Sequence, residues 1–304
     1  MRKALLWAST NPFLAERLPR MGFVKRATSR FMPGESSEEA LSEAGELATN
    51  GMGTLVTLLG ENLNSIDQAD AVLDEYLGVL QDASEAGLDL EISVKLTQLG
   101  LDFGPEVAQE RLTRLAASTP FLVWIDMESS DYVDLTLEIF RNVMLTNTNL
   151  GLCLQSYLRR TENDLESLLP LDPSIRLVKG AYKEPKEVAY PRKREVDEHY
   201  FRLSRILLEA RLNGGMARPV IATHDTRMIE SVNRMAAELG VGKDDYEFAM
   251  LYGIERREQH RLANSGHVVR VLISYGSSWF PWYMRRLAER PANVWFVAKQ
   301  LFRS

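Results

Sequence analysis

The feature that most constrains the fold of this 304-residue chain is a short apolar run that recurs along it, each time followed by a longer stretch with helical periodicity. Runs that are apolar nearly throughout are typical of strands buried on both faces, as in a parallel sheet covered by helices. The predicted strands span residues 54–59, 90–96, 121–127, 150–156, 175–181, 219–224, 246–251 and 269–275.

The stretches between these runs predict helices. Residues 66–86 place Ile66, Ala69 and Leu73 at the spacing of one buried helix face, and residues 195–211 show the same pattern. Eight strand-then-helix units in one chain favour a closed (β/α)8 barrel of the TIM-like kind, with some distortion. An open, doubly wound sheet is the alternative that the pattern leaves open.

The first 50 residues precede the first predicted strand. They predict helices that cap the barrel or pack beside it, with a break at Pro33-Gly34 and a helix start in the run Glu35-Ser36-Ser37-Glu38. We therefore expect an N-terminal helical segment over residues 1–50 and one barrel domain over residues 51–304.

The composition excludes several classes of protein. The net charge of −6, with Lys and Arg scattered along the chain, argues against a nucleic-acid partner. The single cysteine, Cys153, lies in an apolar run and indicates an inert core thiol in a reducing compartment. The four histidines have no zinc-ligand spacing, so no metal site is predicted. No apolar run reaches the roughly 18 to 20 residues of a membrane span, and we expect an intracellular protein.

Polar residues collect where the predicted strands end, which is where barrels of this kind carry their chemistry. Any one of them has an ordinary explanation, such as a solvated lysine or a helix-capping aspartate. Their coincidence around one mouth is what predicts a site. These residues are Lys95, Asp126, Glu128, Gln155, Lys179, Gly180, Ala181, Tyr182, Thr223, His224, Asp225, Ser274, Tyr275 and Gly276, with Arg176 at the start of the fifth strand.

The dipeptide Lys179-Gly180 would let a flat or phosphorylated ligand approach the backbone beside a positive charge. The chain has neither GxGxxG nor GxxxxGK[ST], so neither a Rossmann dinucleotide site nor a P-loop is predicted.

The aromatic-rich segment 279–291 predicts a helix after the last strand, on which Arg285 and Arg286 can each meet Glu289. Two guanidinium groups beside aromatic rings suit a ligand with a carboxylate and an apolar body. Taken alone, however, this segment favours a solvated, salt-bridged helix face.

Taken together, these stretches resemble the proline dehydrogenase family in its compact, single-function bacterial form, from about residue 30 to the C-terminus. The most specific motifs are Ile92-Ser93-Val94-Lys95-Leu96, Arg176-Leu177-Val178-Lys179-Gly180-Ala181-Tyr182 and Arg285-Arg286-Leu287-Ala288-Glu289. Support comes from Ile125-Asp126-Met127-Glu128, Gln155-Ser156-Tyr157 and Ala222-Thr223-His224-Asp225.

The resemblance implies a distorted barrel that binds FAD at the strand carboxyl ends, with the final helix over the substrate. It implies oxidation of L-proline to Δ1-pyrroline-5-carboxylate by hydride transfer to the flavin N5, with electrons passed to a membrane quinone in the first step of proline catabolism. A cytoplasmic enzyme with at most transient contact with the inner membrane is expected.

The same resemblance assigns site residues. It makes Asp126 and Arg176 the catalytic pair. It places substrate contacts at Lys95, Leu177, Tyr182, Leu272, Arg285, Arg286 and Glu289. It places FAD contacts at Met127, Gln155, Arg176, Lys179, Gly180, Ala181, Thr223 and His224.

Two positions depart from the family pattern, because Leu272 and Trp282 stand where tyrosines are common. Loss of the phenol at 272 leaves more room, so hydroxyproline or another cyclic amino acid is an alternative substrate. Tyr275 is a candidate to supply the missing phenol.

Two further alternatives belong to other functional classes. One is a Schiff-base aldolase on the same barrel, with Lys95 or Lys179 as the nucleophile. The other is a flavin-binding barrel without catalytic activity. The sequence does not predict an oligomeric state.

Overall fold

The apolar runs form the parallel strands of a closed barrel in a computed structural model that describes residues 30–60, 63–215 and 218–280. Each strand pairs with the next in sequence, and the first strand closes the barrel against the last. The predicted TIM-like barrel is therefore confirmed and the open sheet was wrong. The strands are β1 (Gly53–Leu58), β2 (Leu90–Val94), β3 (Val123–Ile125), β4 (Leu150–Gln155), β5 (Ser174–Val178), β6 (Arg218–Ala222), β7 (Glu247–Leu251) and β8 (Val268–Tyr275).

Helices connect the strands on the outside of the barrel, and their apolar faces pack against it. The two helices predicted at 66–86 and 195–211 are confirmed within two residues of their predicted ends. The described α-helices are α1 (Ser37–Thr49), α2 (Ile66–Glu85), α3 (Pro105–Ala117), α4 (Val133–Met144), α5 (Thr161–Leu168), α6 (Lys193–Leu212), α7 (Thr226–Leu239) and α8 (Arg256–Asn264).

Helix α1 begins where the sequence predicts a helix start. Ser36 is the N-cap, and its side chain accepts from the backbone N–H of Glu39 at 3.3 Å while Glu39 Oε2 accepts from the Ser36 N–H at 3.2 Å. This capping box satisfies two of the free N–H groups at the helix start. Residues 1–29 lie outside the described part of the chain, so the boundary at residue 50 stays a prediction.

The strands separate two apolar cores, because successive side chains leave opposite faces of a strand. The larger core, which we call the outer core, lies between strands and helices. The smaller one, which we call the interior cluster, fills the barrel interior with Leu55, Trp124, Val220 and Ala249, which come from four different strands. Side chains two positions apart therefore share a face, and this rule determines which residues can meet inside the barrel.

Candidate active site

Asp126 is the centre of a polar cluster at the carboxyl ends of β2, β3 and β5. Its Oδ1 accepts a short hydrogen bond from Arg176 Nη2 and another from Ser93 Oγ at 2.9 Å. Its Oδ2 lies 3.7 Å from Lys95 Nζ. The structure thus brings together Lys95, Asp126 and Arg176, with two cationic side chains around one carboxylate.

Arg176 reaches this cluster from β5 through the barrel interior. Its side chain is 5% exposed, and Nη2 also donates to Ser93 Oγ at 2.8 Å. Burial alone lowers the pKa of Arg176, but the Asp126 carboxylate and other neighbours outweigh it, so the pKa is raised and the guanidinium stays charged. Its Nη1 is buried and has no hydrogen-bond partner among the described residues.

Ser93 and Trp124 belong to this site although the sequence reasoning gave them no role there. Ser93 donates to Asp126 and accepts from Arg176, and the Arg176 guanidinium carbon lies 5.1 Å from the Trp124 ring centroid. Each lies two positions before a predicted site residue, Ser93 before Lys95 and Trp124 before Asp126. The period-two rule of strands was the signal that could have found both.

Gln155, at the end of β4, holds the turn after β3 in place. Its Nε2 donates to the carbonyls of Met127 at 2.6 Å and Glu128 at 2.8 Å. The Glu128 carboxylate accepts from Thr97 N at 3.1 Å and Thr97 Oγ1 at 2.7 Å, and burial raises the pKa of Glu128. The two hydrogen bonds to the backbone carbonyls fix the orientation of the Gln155 side-chain amide. Its buried Oε1 has no hydrogen-bond partner among the described residues.

Lys179 lies at the mouth beyond β5, with its charge already paired. Its Nζ donates to Asp197 Oδ1 at 2.6 Å and to Asp225 Oδ2 at 3.3 Å. Lys193 also contacts both carboxylates. The positive charge of Lys179 is therefore paired with a carboxylate on α6, Asp197, and with one in the loop after β6, Asp225.

Gly180 follows Lys179 with a φ of +110°, a conformation that side chains rarely adopt. A Cβ at this position would lie 2.2 Å from the Tyr157 ring. Glycine is therefore required by both its backbone conformation and the Tyr157 ring. Gly180 and Ala181 are exposed at the mouth.

Thr223 and His224 follow β6. His224 Nε2 accepts from the backbone N–H of Leu251 at 2.8 Å, so in the neutral ring the hydrogen is on Nδ1. Thr223 is buried, and its Oγ1 accepts from the Asp225 N–H at 3.1 Å. Both side chains thus hold the loops of β6 and β7 in a defined shape at the mouth.

The predicted pocket residues divide between the two cores. Leu272 packs against the interior cluster, whereas Leu177 is fully buried in the larger core that the strands share with the helices. Tyr182 is partly buried in the loop after β5. Tyr275 lies in the larger core, three positions from Leu272, and is 1% exposed. Tyr275 therefore cannot replace a phenol at position 272.

Four predicted or noted residues, Trp282, Arg285, Arg286 and Glu289, lie outside the described residues, and their roles stay predictions. Within residues 30–60, 63–215 and 218–280, no cluster of three His, Cys, Asp or Glu side chains could hold a metal ion. In those same ranges no helix has the length and apolar character needed to cross a membrane. Cys153 is a buried free thiol whose pKa is raised by burial, as expected for a core cysteine.

Comparison with known proteins places this geometry in a family. A family model described as "Proline dehydrogenase" matches residues 40–299. Proline dehydrogenase 2 of Bacillus subtilis subsp. natto is 35% identical over 301 residues, covering 98% of this chain and 97% of the relative. Proline dehydrogenase of Deinococcus radiodurans is 37% identical over 310 residues, covering 99% of this chain and 98% of the relative.

A solved structure supports the same assignment. The structure of proline utilization A (PutA) from Bdellovibrio bacteriovorus inactivated by N-propargylglycine matches with a TM-score of 0.81 and 26% identity. The match covers 95% of this chain but only 36% of that chain, so this chain spans about a third of the larger protein. The family match and the relatives aligned along their full length show that the chain belongs to the proline dehydrogenase family, whose enzymes oxidise proline in its catabolism.

Proposed function

We propose that the chain oxidises L-proline to Δ1-pyrroline-5-carboxylate with FAD bound at the carboxyl end of the barrel. The observation that carries the proposal is the cluster in which Lys95 and Arg176 share the single carboxylate of Asp126. Lys95 Nζ lies 3.7 Å from Asp126 Oδ2, which is longer than a hydrogen bond, so its ammonium group can still donate to a ligand. Such a site favours a small substrate that brings a carboxylate of its own.

The residues present fit a flavin. The isoalloxazine ring offers an N–H donor and several acceptor atoms along its polar edge. Gln155 Oε1 is a buried acceptor and Arg176 Nη1 a buried donor, and neither has a hydrogen-bond partner among the described residues. Buried polar atoms are rarely left unpaired, so a ligand with both kinds of group would satisfy the two side chains.

The residues that would hold FAD are those that the family resemblance indicates. Gln155 and Arg176 would bind the ring, while Met127 would pack beside it from the turn that Gln155 fixes. The residues at the mouth of the barrel would contact the rest of the cofactor. These are Lys179, Gly180, Ala181, Thr223 and His224.

FAD, when bound, supplies the oxidising chemistry by accepting hydride from the substrate carbon next to the nitrogen. The chain's own residues orient the substrate and stabilise the charge that develops during the reaction. Lys95, together with Arg285 and Arg286 of the predicted final helix, would hold the substrate carboxylate and so align a small rigid amine. Arg176, kept charged and immobile by Asp126 and Ser93, would stabilise negative charge that develops on the ring.

The electron acceptor that we propose is a membrane quinone, reached by brief peripheral contact of a cytoplasmic enzyme. The support for this step is the family resemblance. Oxygen-free turnover with a soluble quinone analogue would test it, since an enzyme that cannot use the analogue would contradict this part of the proposal.

A dehydrogenase of another cyclic amino acid is the second candidate, and Leu272 is the observation that favours it. Leu272 faces the interior cluster and carries no hydroxyl, and Tyr275 lies in the outer core. The Schiff-base alternative has less support, because Lys95 and Lys179 both form ion pairs with carboxylates. A Schiff-base lysine is activated in an apolar or cationic environment.

The test is anaerobic bleaching of the purified flavoprotein by L-proline, hydroxyproline and pipecolate. We expect fast bleaching by L-proline. Faster bleaching by hydroxyproline would make hydroxyproline, rather than L-proline, the substrate. The absence of bleaching by all three compounds would overturn the proposed oxidation. Borohydride trapping of a lysine adduct would instead favour the aldolase.

A further inference from the structure

Trp124 lies directly beneath the proposed site, inside the barrel. Its side chain is 1% exposed, and two guanidinium carbons lie near its ring, Arg176 at 5.1 Å and Arg218 at 5.8 Å from the centroid. A cation over the face of an indole is attracted by the ring quadrupole, most strongly where water is excluded. Trp124 therefore interacts with the arginine that we place against the flavin.

The barrel makes room for this ring at a neighbouring strand. Gly151 of β4 is the register partner of Trp124, and a Cβ at Gly151 would lie 2.4 Å from the indole Cε3. Any larger residue would push the ring away from its position. The close packing against Gly151 restrains the position of the indole ring.

The edge of the indole is held by a group of charges that we name the lower charge cluster. Trp124 Nε1 donates to Glu91 Oε2 at 2.7 Å. The cluster comprises the side chains of Glu91, Arg218, Glu247 and Arg270, which come from β2, β6, β7 and β8 near their amino ends.

The lower charge cluster has equal numbers of positive and negative charges. Arg218 binds both oxygens of Glu247 at 2.6 and 2.7 Å and reaches across the barrel to Glu91 Oε1 at 2.5 Å. Arg270 Nε donates to Glu247 at 3.2 Å, and its Nη1 lies 3.2 Å from Glu91 without hydrogen-bond geometry. Each carboxylate is thus held by two arginines, and Glu91 has one oxygen to accept from Trp124.

We propose that Trp124 is a positioning residue for the oxidation, since its ring supports the Arg176 guanidinium from below and the lower charge cluster holds the ring. The inference rests on the proposed function, in which Arg176 acts on the bound flavin. Asp126 and Ser93 hold Arg176 at Nη2, and the Cys153 thiol of the neighbouring strand also interacts with the guanidinium, while Nη1 has no hydrogen bond among the described residues. The ring face supplies the contact that keeps the guanidinium plane from tilting away from the mouth.

The test varies the electron density on the face of the indole ring and leaves the shape of the ring nearly unchanged. The chain has five tryptophans, and replacing them with tryptophan carrying increasing numbers of fluorine atoms weakens the face of the ring as a partner for a cation. We expect kcat and the flavin midpoint potential to fall stepwise with fluorine number, with kcat lower by about 2- to 30-fold at full substitution. KM for proline should change little, because Lys95 is not in contact with the ring.

Trp124→Phe is the control that assigns the effect. In this variant the dependence on fluorination should disappear, although four tryptophans are still labelled. Trp124→Leu should lower kcat more than Trp124→Phe, because only the latter keeps an aromatic face. Phe140→Leu, which opens a comparable gap in the outer core, should lower stability without the change in midpoint potential, since Phe140 is fully buried on α4.

The possible outcomes separate the two proposals. If Arg176→Met itself leaves kcat and the midpoint potential unchanged, the proposed role of Arg176 is wrong. If Arg176→Met lowers both but fluorination has no effect, or has the same effect in Trp124→Phe, then Arg176 acts as proposed and Trp124 does not position it.

Discussion

The two ends of the barrel interior use similar side chains in opposite ways. At the carboxyl end, Lys95 and Arg176 share one carboxylate, and the Asp126 side chain is 22% exposed. In the lower charge cluster, the charges of two arginines and two glutamates cancel. The side chains of Glu91 and Glu247 are 3% and 11% exposed. At the carboxyl end Lys95 lies 3.7 Å from its carboxylate, longer than a hydrogen bond, whereas each glutamate of the lower charge cluster accepts a hydrogen bond from an arginine.

The difference shows how buried charges can be sorted into structural and functional groups. Burying a charge is costly unless it is paired and hydrogen-bonded. Every charged group of the lower charge cluster is paired, and Arg270 Nη1, which lacks a hydrogen bond, still lies 3.2 Å from Glu91. The carboxyl end leaves Arg176 Nη1 and Gln155 Oε1 without described partners. Such incomplete satisfaction in an otherwise well-packed barrel is what a ligand site requires.

The largest effect on stability is expected when the balance of the lower charge cluster is broken. Glu247→Gln leaves Arg218 and Arg270 with one carboxylate between them and should cost about 3–5 kcal/mol of unfolding free energy. Turnover of the folded fraction should fall far less than in Arg176→Met, because Glu247 does not contact the site and Glu91 still accepts the hydrogen bond of Trp124. Urea denaturation and steady-state kinetics measure the two quantities.

A paired replacement serves as the control. Arg218→Met combined with Glu247→Met removes one charge of each sign and should be much less destabilising than Glu247→Gln alone. A large loss of turnover in Glu247→Gln at unchanged stability would show that the lower charge cluster takes part in the chemistry and would remove the contrast between the two ends.

The converse pattern is expected at the carboxyl end. Arg176→Met should lower kcat by about 10²- to 10³-fold, the size of loss that follows removal of one fixed electrostatic donor. The unfolding free energy should change much less, because Asp126 is partly exposed and keeps Lys95 nearby. Arg159→Met is the matched control, since Arg159 is exposed and stacks on Tyr190 away from the cluster. Equal kinetic losses in both variants would contradict a specific role for Arg176.

Position 272, which faces the barrel interior, should determine selectivity. Leu272→Tyr restores a phenol in the interior cluster, and we expect the ratio of kcat/KM for L-proline to that for hydroxyproline to rise about 10-fold, as a better-filled pocket allows. Tyr275→Phe should leave this ratio unchanged, because Tyr275 lies in the outer core. A ratio that responds to Tyr275→Phe and not to Leu272→Tyr would mean that the pocket lies elsewhere.

The smallest effect concerns pH and involves neither charge cluster. Burial lowers the pKa of both His199 and His267 below the ordinary 6.5. The unfolded chain therefore takes up protons that the folded chain does not, so stability is fully present above pH 6.5 and is lost as the pH falls through the lowered values. His267→Phe should flatten part of this loss in thermal melts between about pH 5 and pH 8. An unchanged pH dependence would exclude His267 as a contributor.

The barrel was predictable from the sequence because its signal is local. Each strand is an apolar run, and the capping box at Ser36 can be read from a few adjacent residues. The third strand was predicted at 121–127 but spans Val123–Ile125, because Asp126 and Met127 leave the strand to form the turn that Gln155 holds.

The contacts across the barrel were not predictable in the same way. Lys95 and Asp126 follow strand ends, which is a local signal. The pairing of Glu91 with Arg218 joins residues 127 positions apart and depends on closure of the barrel. The outward direction of Tyr275 likewise follows from strand alternation once the orientation of β8 is known.

The most direct test of the central claim compares L-proline with pyrrolidine, which has the same ring and amine but no carboxylate. If Lys95 and Arg176 at the carboxyl end select the substrate by its carboxylate, anaerobic bleaching of the bound flavin should be fast with L-proline and slower by about 100-fold or more with pyrrolidine. Equally fast bleaching by both compounds would contradict the account, because the cations around Asp126 would then have no part in recognition.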